Sequence, residues 1–384
     1  MEVKQIYELM NGITEEILGE ANLMQEDLSN VVDIGTRILS ITEVDAYTKT
    51  LLNHIGKVVF VNRPYSGNVP SVLMDSWEFG SVLEKVAAQL PEATENESWE
   101  LTNGASYDPN IFYKPTVTAK LFNKRITFEV PVSITDKQVK QSFSNAAQLN
   151  GFISMIYSAV DRSMTVKVDA LVMRTINAMI GETIKADYAS AALASKSGIK
   201  AVNLLYLYNQ TTSNDITAAD ALYSPEFIRF ASYTMGVYMS RMTKLNSLFN
   251  IEGNDRFTPR DLLHVVLLSD FKKACASYLQ SSTFHDELVA LPESEEVPYW
   301  QGSGQDYAFS NISKINIVTP DGDNVEASGI LGVMFDRDAL GVCCQDKRVT
   351  SNYNSKAEFT NSWYKFDCGY FADKGEQFVV FFVA

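Results

Sequence analysis

From Ile153 to Met179 the apolar residues recur in steps of three and four: Ile153, Ile156, Val160, Met164, Val168, Leu171, Thr175, Met179. That spacing places them on one face of an α-helix. Over about 30 residues the helix would be a rod of roughly 45 Å. Helices average only ~11 residues, so one this long reads as a scaffold that spans a whole domain. The helical region starts upstream, with Val139, Phe143 and Ala146, and Thr135 or Asp136 is placed to cap it. Gly181 is the expected stop.

Shorter elements flank the rod. Ile6, Leu9, Met10, Ile13, Ile17, Met24 and Leu28 predict one or two amphipathic helices over 2–28. A helix over about 43–56 and a strand from Lys57 to Asn62 follow. Residues 63–115 change character and are rich in Pro, Gly, Asn, Ser and Glu. Only brief strand-like pieces occur there: Ser71–Met74, Phe79–Val86 and Trp99–Thr102. An isolated two-stranded ribbon is marginal in water. Yet this stretch carries Trp77, Phe79, Trp99, Tyr107, Phe112 and Tyr113, which implies that a partner covers them. From Thr116 a strand alternates through Val117, Ala119 and Leu121. The phase then slips to Ile126, Phe128, Val130 and Val132, which predicts a bulge or turn at Phe122–Arg125.

Beyond the rod, residues 182–224 are small and polar around an apolar piece, Val202–Tyr208. Ser224-Pro225-Glu226 starts a helix that is expected to run to about Asn250. Leu262–Leu268 reads as a buried strand. Ser269-Asp270 caps a helix over Phe271–Gln280. A long loop over 283–310, a strand over Lys314–Val318 and a turn at Pro320-Asp321-Gly322-Asp323 complete this part. From Gly329 onward the chain is strand-rich: an apolar strand into Phe335-Asp336-Arg337-Asp338-Ala339-Leu340-Gly341, an aromatic strand over Phe359–Phe371 and a last apolar strand over Phe378–Val383. The fold class is α+β, and 384 residues imply two or so domains.

Charge narrows the function classes. The formal net charge of −15 argues against a nucleic-acid-binding surface, which needs stripes of Lys and Arg. A shell around DNA has the opposite requirement, because a negative wall repels packed phosphate. The charge is also blocked. Residues 75–100 hold seven acids and only Lys85, whereas 114–140 holds six bases and two acids. No apolar run approaches the ~20 residues of a membrane span. The acidic, amphipathic N-terminus lacks the pattern of a secretion signal, so synthesis inside a cell is expected. Cys275, Cys343, Cys344 and Cys368 show no metal-site spacing and read as reduced thiols.

Catalytic constellations are weak. The three histidines are His54, His264 and His285. His285 has no nucleophile elbow to serve. Ser269 reads as a helix cap, and His264 as a core residue of a strand. Asp321-Gly322-Asp323-Asn324 lacks the closing glutamate of a calcium loop, and Gln301-Gly302-Ser303-Gly304 lacks a P-loop lysine. The expectation is no enzyme, no cofactor and no metal.

The order of elements and four local stretches carry a resemblance. These are Trp77-Glu78-Phe79-Gly80, Phe128-Glu129-Val130-Pro131-Val132-Ser133, His264-Val265-Val266-Leu267-Leu268-Ser269-Asp270-Phe271 and, strongest, Phe335-Asp336-Arg337-Asp338-Ala339-Leu340-Gly341. The chain resembles tailed-bacteriophage major capsid proteins of the Hong Kong 97-type fold. The resemblance implies an N-terminal arm with a first strand (1–62) and an extended E-loop (63–115). It further implies a peripheral domain with a long spine helix (116–181 and 330–384) and an axial α/β domain (182–329). It implies a virion protein, made and assembled in the host cytoplasm, that builds an icosahedral shell of hexamers and pentamers around double-stranded DNA. Expected partners are other copies of the chain, a scaffolding protein and a portal, with DNA only by non-specific proximity and no membrane. An encapsulin-type compartment is the alternative on the same fold. A cytoplasmic α/β hydrolase using Ser269 and His285 is the alternative from another class. The candidate inter-subunit residues are Trp77, Phe79, Glu95, Glu97, Trp99, Glu100, Lys120, Lys124, Arg125, Asp336, Arg337 and Asp338.

Overall fold

The computed structural model describes residues 3–19, 24–25, 29–41, 44–61, 69–74, 83–88, 93, 95–114, 117–189, 191–280, 294–302, 307–319 and 322–384. Its organising element is a helix of 43 residues, Ala146–Tyr188. The helices before it are α1 (Val3–Leu18), α2 (Val31–Ile41), α3 (Val44–Val61) and α4 (Asp136–Ser142), so the long one is α5. At 1.5 Å per residue α5 spans roughly 65 Å. It is longer than the periodicity predicts at its C-terminal end, because Gly181 does not stop it. A Cβ at Gly181 would collide with Ile317. The glycine therefore serves close packing against a neighbouring hairpin, not termination. At the other end α4 and α5 are separate. Thr135 caps α4 in a reciprocal arrangement with Gln138, and the Asn145 side chain caps α5 by accepting from the Gln148 N–H at 2.9 Å.

Burial along α5 changes with position. Its first part buries one stripe, Leu149 through Val168, whereas Met179–Ile184 is buried all round. The reason is that successive elements cover successive faces. The strands are β1 (Leu83–Ala88), β2 (Val117–Phe122), β3 (Arg125–Thr135), β4 (Ala201–Asn203), β5 (Leu263–Leu268), β6 (Glu295–Val297), β7 (Ile315–Val318), β8 (Asn324–Ala327), β9 (Ile330–Asp336), β10 (Leu340–Asn354), β11 (Phe359–Ala372) and β12 (Phe378–Phe382). Among the described residues four sheets form: β1-β2, β10-β11-β3, β4-β12-β9-β5-β6 and β7-β8. The helix packs on three of them: on β3, β10 and β11, on β4 and β12, and on the β7–β8 hairpin.

The three-stranded sheet takes its register from alternation. In β11 Thr360, Ser362, Tyr364, Phe366 and Cys368 are buried. This is the period-2 pattern of a sheet with one covered face. The cover is α5 together with α3. The Tyr364 hydroxyl donates to the Leu52 carbonyl at 3.1 Å and pins α3 to the sheet. Here the structure corrects the expected strand over 57–62: residues 57–61 are the last turns of α3. Tyr47, Leu51, Leu52 and Ile55 already bury one helical face. Extending a nucleated helix is cheaper than breaking it, and the β-propensity of Val58, Val59 and Val61 yields to that context.

The five-stranded sheet is buried on both faces. Every residue of β9 and of β12 is buried. The β12 strand runs parallel to β4 and antiparallel to β9, and β5 runs antiparallel to β9 and parallel to β6. The buried strand expected at 262–268 is β5, and the turn expected at Phe122–Arg125 separates β2 from β3. Helices α6 (Leu204–Thr212), α7 (Pro225–Met242) and α8 (Ser269–Gln280) flank this sheet, and a short α9 (Phe309–Ile312) precedes β7. Tyr238 of α7 packs edge-on against Phe381 of β12, with ring centroids 5.4 Å apart. Ser224 caps α7 as expected, with Pro225 in its first turn. The helix ends at Met242, short of the expected 250. The Asn246 side chain donates to the carbonyls of Arg241 and Lys244, satisfying acceptors that a further turn would have used.

The C-terminal block is therefore shared. Its strands β10 and β11 join β3, whereas β9 and β12 fill the middle of the other sheet. Gly332 in β9 permits that density, because a Cβ there would stand 2.5 Å from Leu267 Cδ2 and 2.9 Å from the Val266 carbonyl oxygen. Gly332→Ala should lower stability by roughly 1–3 kcal/mol, the range for overpacking a filled core. Thermal unfolding of the purified variant reads this out, and an unchanged midpoint would refute the packing argument.

Candidate assembly surface

The β1–β2 ribbon brings the acidic and basic stretches of the sequence together in one chain. Its antiparallel register sets Leu83 opposite Phe122, Lys85 opposite Lys120 and Ala87 opposite Thr118. The Leu83–Phe122 and Lys85–Lys120 pairs share the face turned toward the body of the molecule. Like charges directly opposite each other destabilise an antiparallel pair. Asp373, in the turn between β11 and β12, offsets the repulsion. It is 3% exposed, and its two carboxylate oxygens divide the lysines between them. Oδ1 accepts from Lys120 at 2.7 Å and Oδ2 from Lys85 at 3.1 Å. Lys85 also donates to the Asp338 carbonyl at 2.6 Å and lies 3.5 Å from Glu376. Glu252 accepts a second bond from Lys120. Arg256 completes the cluster at 3.3 Å from Glu376. Lys85, Lys120, Arg256, Asp373 and Glu376 line a cavity of about 390 Å³ at the ribbon's root.

The cluster shifts its own titrations. Burial raises the Asp373 carboxyl. The bonds from Lys120, the Gly375 N–H and Lys85 outweigh that and hold it below its ordinary 3.8. Burial dominates at Glu376 and raises it, against the pull of Lys85 and Arg256. Burial lowers Lys120, but the bonds to Asp373 and Glu252 leave it raised. The arrangement is a structural clamp: it anchors a two-stranded ribbon, weak by itself, to the turn before β12.

Beyond the clamp the excursion is uncovered. Trp99 is 96% exposed, Phe112 82% and Tyr113 81%. Leu101, Tyr107 and Ile111 are exposed as well, as are Val86, Val117 and Leu121 on the ribbon's outer face. An apolar surface this concentrated marks an interaction site.

The sequence-derived candidates fall into three groups. Trp77 and Phe79 lie outside the described residues, as does the side chain of Glu97. Glu95, Trp99, Glu100, Lys124 and Arg125 are exposed. Lys120 is engaged within its own chain by Asp373 and Glu252. Asp336 is buried at the end of β9 and accepts from the Asp338 N–H at 2.8 Å, forming the turn into β10, while Arg337 and Asp338 are exposed at its tip. The residues that sequence reasoning missed are Asp373, Glu376 and Glu252. The sole signal was an acidic turn, Asp373-Lys374-Gly375-Glu376, between two apolar strands, and nothing in it named Lys85 or Lys120.

A family model for the Phi29-like phage major capsid protein matches residues 10–382. The chain belongs to that family. Among curated protein sequences nothing matches this chain significantly. Among solved structures, a chain in the capsid structure of Staphylococcus phage Andhra aligns with a TM-score of 0.53 at 10% identity, covering 84% of this chain and 86% of that one. A chain in the structure of the head fiber and inner core protein gp22 of native bacteriophage P68 aligns with a TM-score of 0.52 at 8% identity, again over 84% and 86%. The fold is thus that of tailed-phage capsids, of the Hong Kong 97 type that the sequence resembles. This protein is a phage major capsid protein, with a structural role in the shell. Neither the encapsulin nor the hydrolase alternative finds support. Ser269 donates to the Val297 carbonyl at 3.1 Å, joining α8 to β6, and His285 lies outside the described residues.

In this capsid protein the clamp predicts a pH response. Because Asp373 is depressed in the folded state, its stabilising effect is complete above 3.8 and is lost as pH falls through its lower folded value. Asp373→Asn should reproduce that loss at neutral pH, at a cost of roughly 3 kcal/mol for breaking a buried pair. Hydrogen exchange should speed up across β1 and β2 first. Uniform exchange in wild type and variant would show that the clamp does not hold the ribbon.

Proposed function

We propose that the protein assembles through hexamers and pentamers into a closed icosahedral shell around double-stranded DNA. The observation that carries this reading is the aromatic excursion: an exposed apolar segment on a ribbon clamped at its root. Ordering such a segment requires a neighbour, and heterologous contacts that close into rings supply one in every subunit. Many modest contacts then replace one tight site, in keeping with a structural and not an enzymatic protein.

The division of labour follows the sheets. Residues 1–62 form the N-terminal arm, here helical where described, and 63–115 form the E-loop. The peripheral domain takes 116–181 with the 330–384 block, and the axial domain takes 182–329. The strands β9 and β12 then link the two by completing the sheet that holds β5. A scaffolding protein and a portal are the expected assembly partners, and the host cytoplasm is where assembly takes place. The net charge of −15 suits a wall against DNA held by proximity alone.

Charge selects how subunits meet. The acids of 75–100 face the bases of 114–140 on an adjacent subunit, with Lys114, Lys124, Lys137 and Lys140 exposed for the purpose. Each such pair adds only ~0–1 kcal/mol. Repeated around a ring, the match sets register and orientation more than strength. Uniform particles seen by light scattering and negative-stain microscopy are the expected product of the purified chain with its scaffold. Reversing Glu95, Glu97 and Glu100 to Lys together should impair formation of those particles while leaving the monomer's thermal midpoint unchanged. Normal shells from the triple variant would eliminate the charge-matching model.

A further inference from the structure

A second cavity, of about 540 Å³, opens beside the ribbon's root between the β2–β3 turn, α5, β7 and the end of β11. Its volume is that of a pocket for one bulky group. Its floor is largely apolar, with Met179 and Ala178 of α5, Phe122, Phe371 and Val318 among its walls. Phe122 and Phe371 pack on each other there, with ring centroids 5.2 Å apart. Lys124, Arg174 and Lys374 stand at its edges.

One feature of this groove points to a ligand. Glu182 lines it and is 8% exposed. Lys374 holds Oε2 at 2.9 Å, while Oε1 is buried with no hydrogen-bond partner among the described residues. A buried carboxylate oxygen left without a donor is costly. A group that fills the groove and brings one N–H would remove that cost.

The same chain carries such a group, left exposed among the described residues. Trp99 has a large apolar ring and a single N–H donor, and it is 96% exposed. Its segment is also the electrostatic complement of the groove's rim. Between 86 and 113 the sequence holds Glu92, Glu95, Glu97, Glu100 and Asp108 and no Lys or Arg. We infer that Trp99 of one copy docks in the Met179–Phe371 groove of a neighbouring copy, its indole N–H donating to Glu182 Oε1. This rests on the shell reading above and names the receptor site for the excursion. A buried aromatic in a pocket with a charged rim is the composition of an interface hot spot, and the charge-assisted bond fixes its orientation.

The test uses the full chain with p-benzoylphenylalanine in place of Trp99. Probe-bearing light chains are mixed with ¹⁵N-labelled chains lacking the probe, assembled with scaffold and irradiated. The expected result is light–heavy cross-links to peptides carrying 121–124, 174–182, 317–318 or 370–374. In parallel, Trp99→Ala should raise the protein concentration needed for assembly by at least about tenfold. The monomer's thermal midpoint should not move, because the side chain is exposed. Particles that form normally with Trp99→Ala, or whose cross-links fall elsewhere or within one chain, overturn the docking site and leave the shell reading intact. A wild-type chain that never forms particles with its scaffold overturns the shell reading and the docking site with it.

Discussion

One helix has to satisfy three sheets. Met179–Ile184 of α5 is buried all round because the three-stranded sheet, the five-stranded sheet and the β7–β8 hairpin each pack on the helix. That burial dictates the small residue at Gly181 and the polar ties that branch from its last turns. Asn177 donates to the Trp300 carbonyl at 2.6 Å, Glu182 meets Lys374, Lys185 meets Asp323 at 2.8 Å and Asp187 meets Lys200 at 2.7 Å. Each tie reaches a different segment. The helix acts as a common reference for elements that have few other reasons to keep their relative positions.

Much of this was legible in the sequence, and the part that was not has a physical cause. Regular burial writes a period. The stripe from Ile153 to Met179, the alternation of β3 after the turn, the apolar run of β5 and the Ser224-Pro225 helix start all follow from local pattern, whereas the apolar alternation of β2 lies on an exposed face. Residues 57–61 and Gly181 misled because their local preferences are weak beside tertiary context. A β-branched run continues a helix when that helix is already packed, and a glycine inside a helix serves a neighbour's approach. The sharing of 330–384 between two sheets could not be read either, since β11 and β12 are assigned to different sheets by β3 and β4, partners more than a hundred residues away.

The assembly surface divides in the same way. Its exposed half was readable from composition: aromatics on a thin, polar segment lack a core of their own to enter. Its anchoring half was not, because Lys85, Lys120, Glu252, Asp373 and Glu376 come from four separate regions of the chain. Lys120 shows the cost of reading charge by blocks. Counted among the bases of 114–140, it is engaged by carboxylates of its own chain and serves the ribbon's root.

The position of β12 has a consequence for the timing of synthesis. It lies between β4 and β9, and its partner residues in β4 were made about 180 positions earlier, Val380 opposite Ala201 and Phe382 opposite Asn203. Until residues 378–382 leave the ribosome, the middle of the five-stranded sheet is an open slot flanked by two apolar strands. Contacts of such separation form late and slowly. The clamp has the same delay, because Asp373 and Glu376 emerge just before β12. A nascent chain therefore carries its aromatic excursion on an unanchored ribbon, and the surface that meets other copies is set in place only when the chain is nearly finished. Topology alone makes the ability to join a shell one of the last properties this molecule acquires.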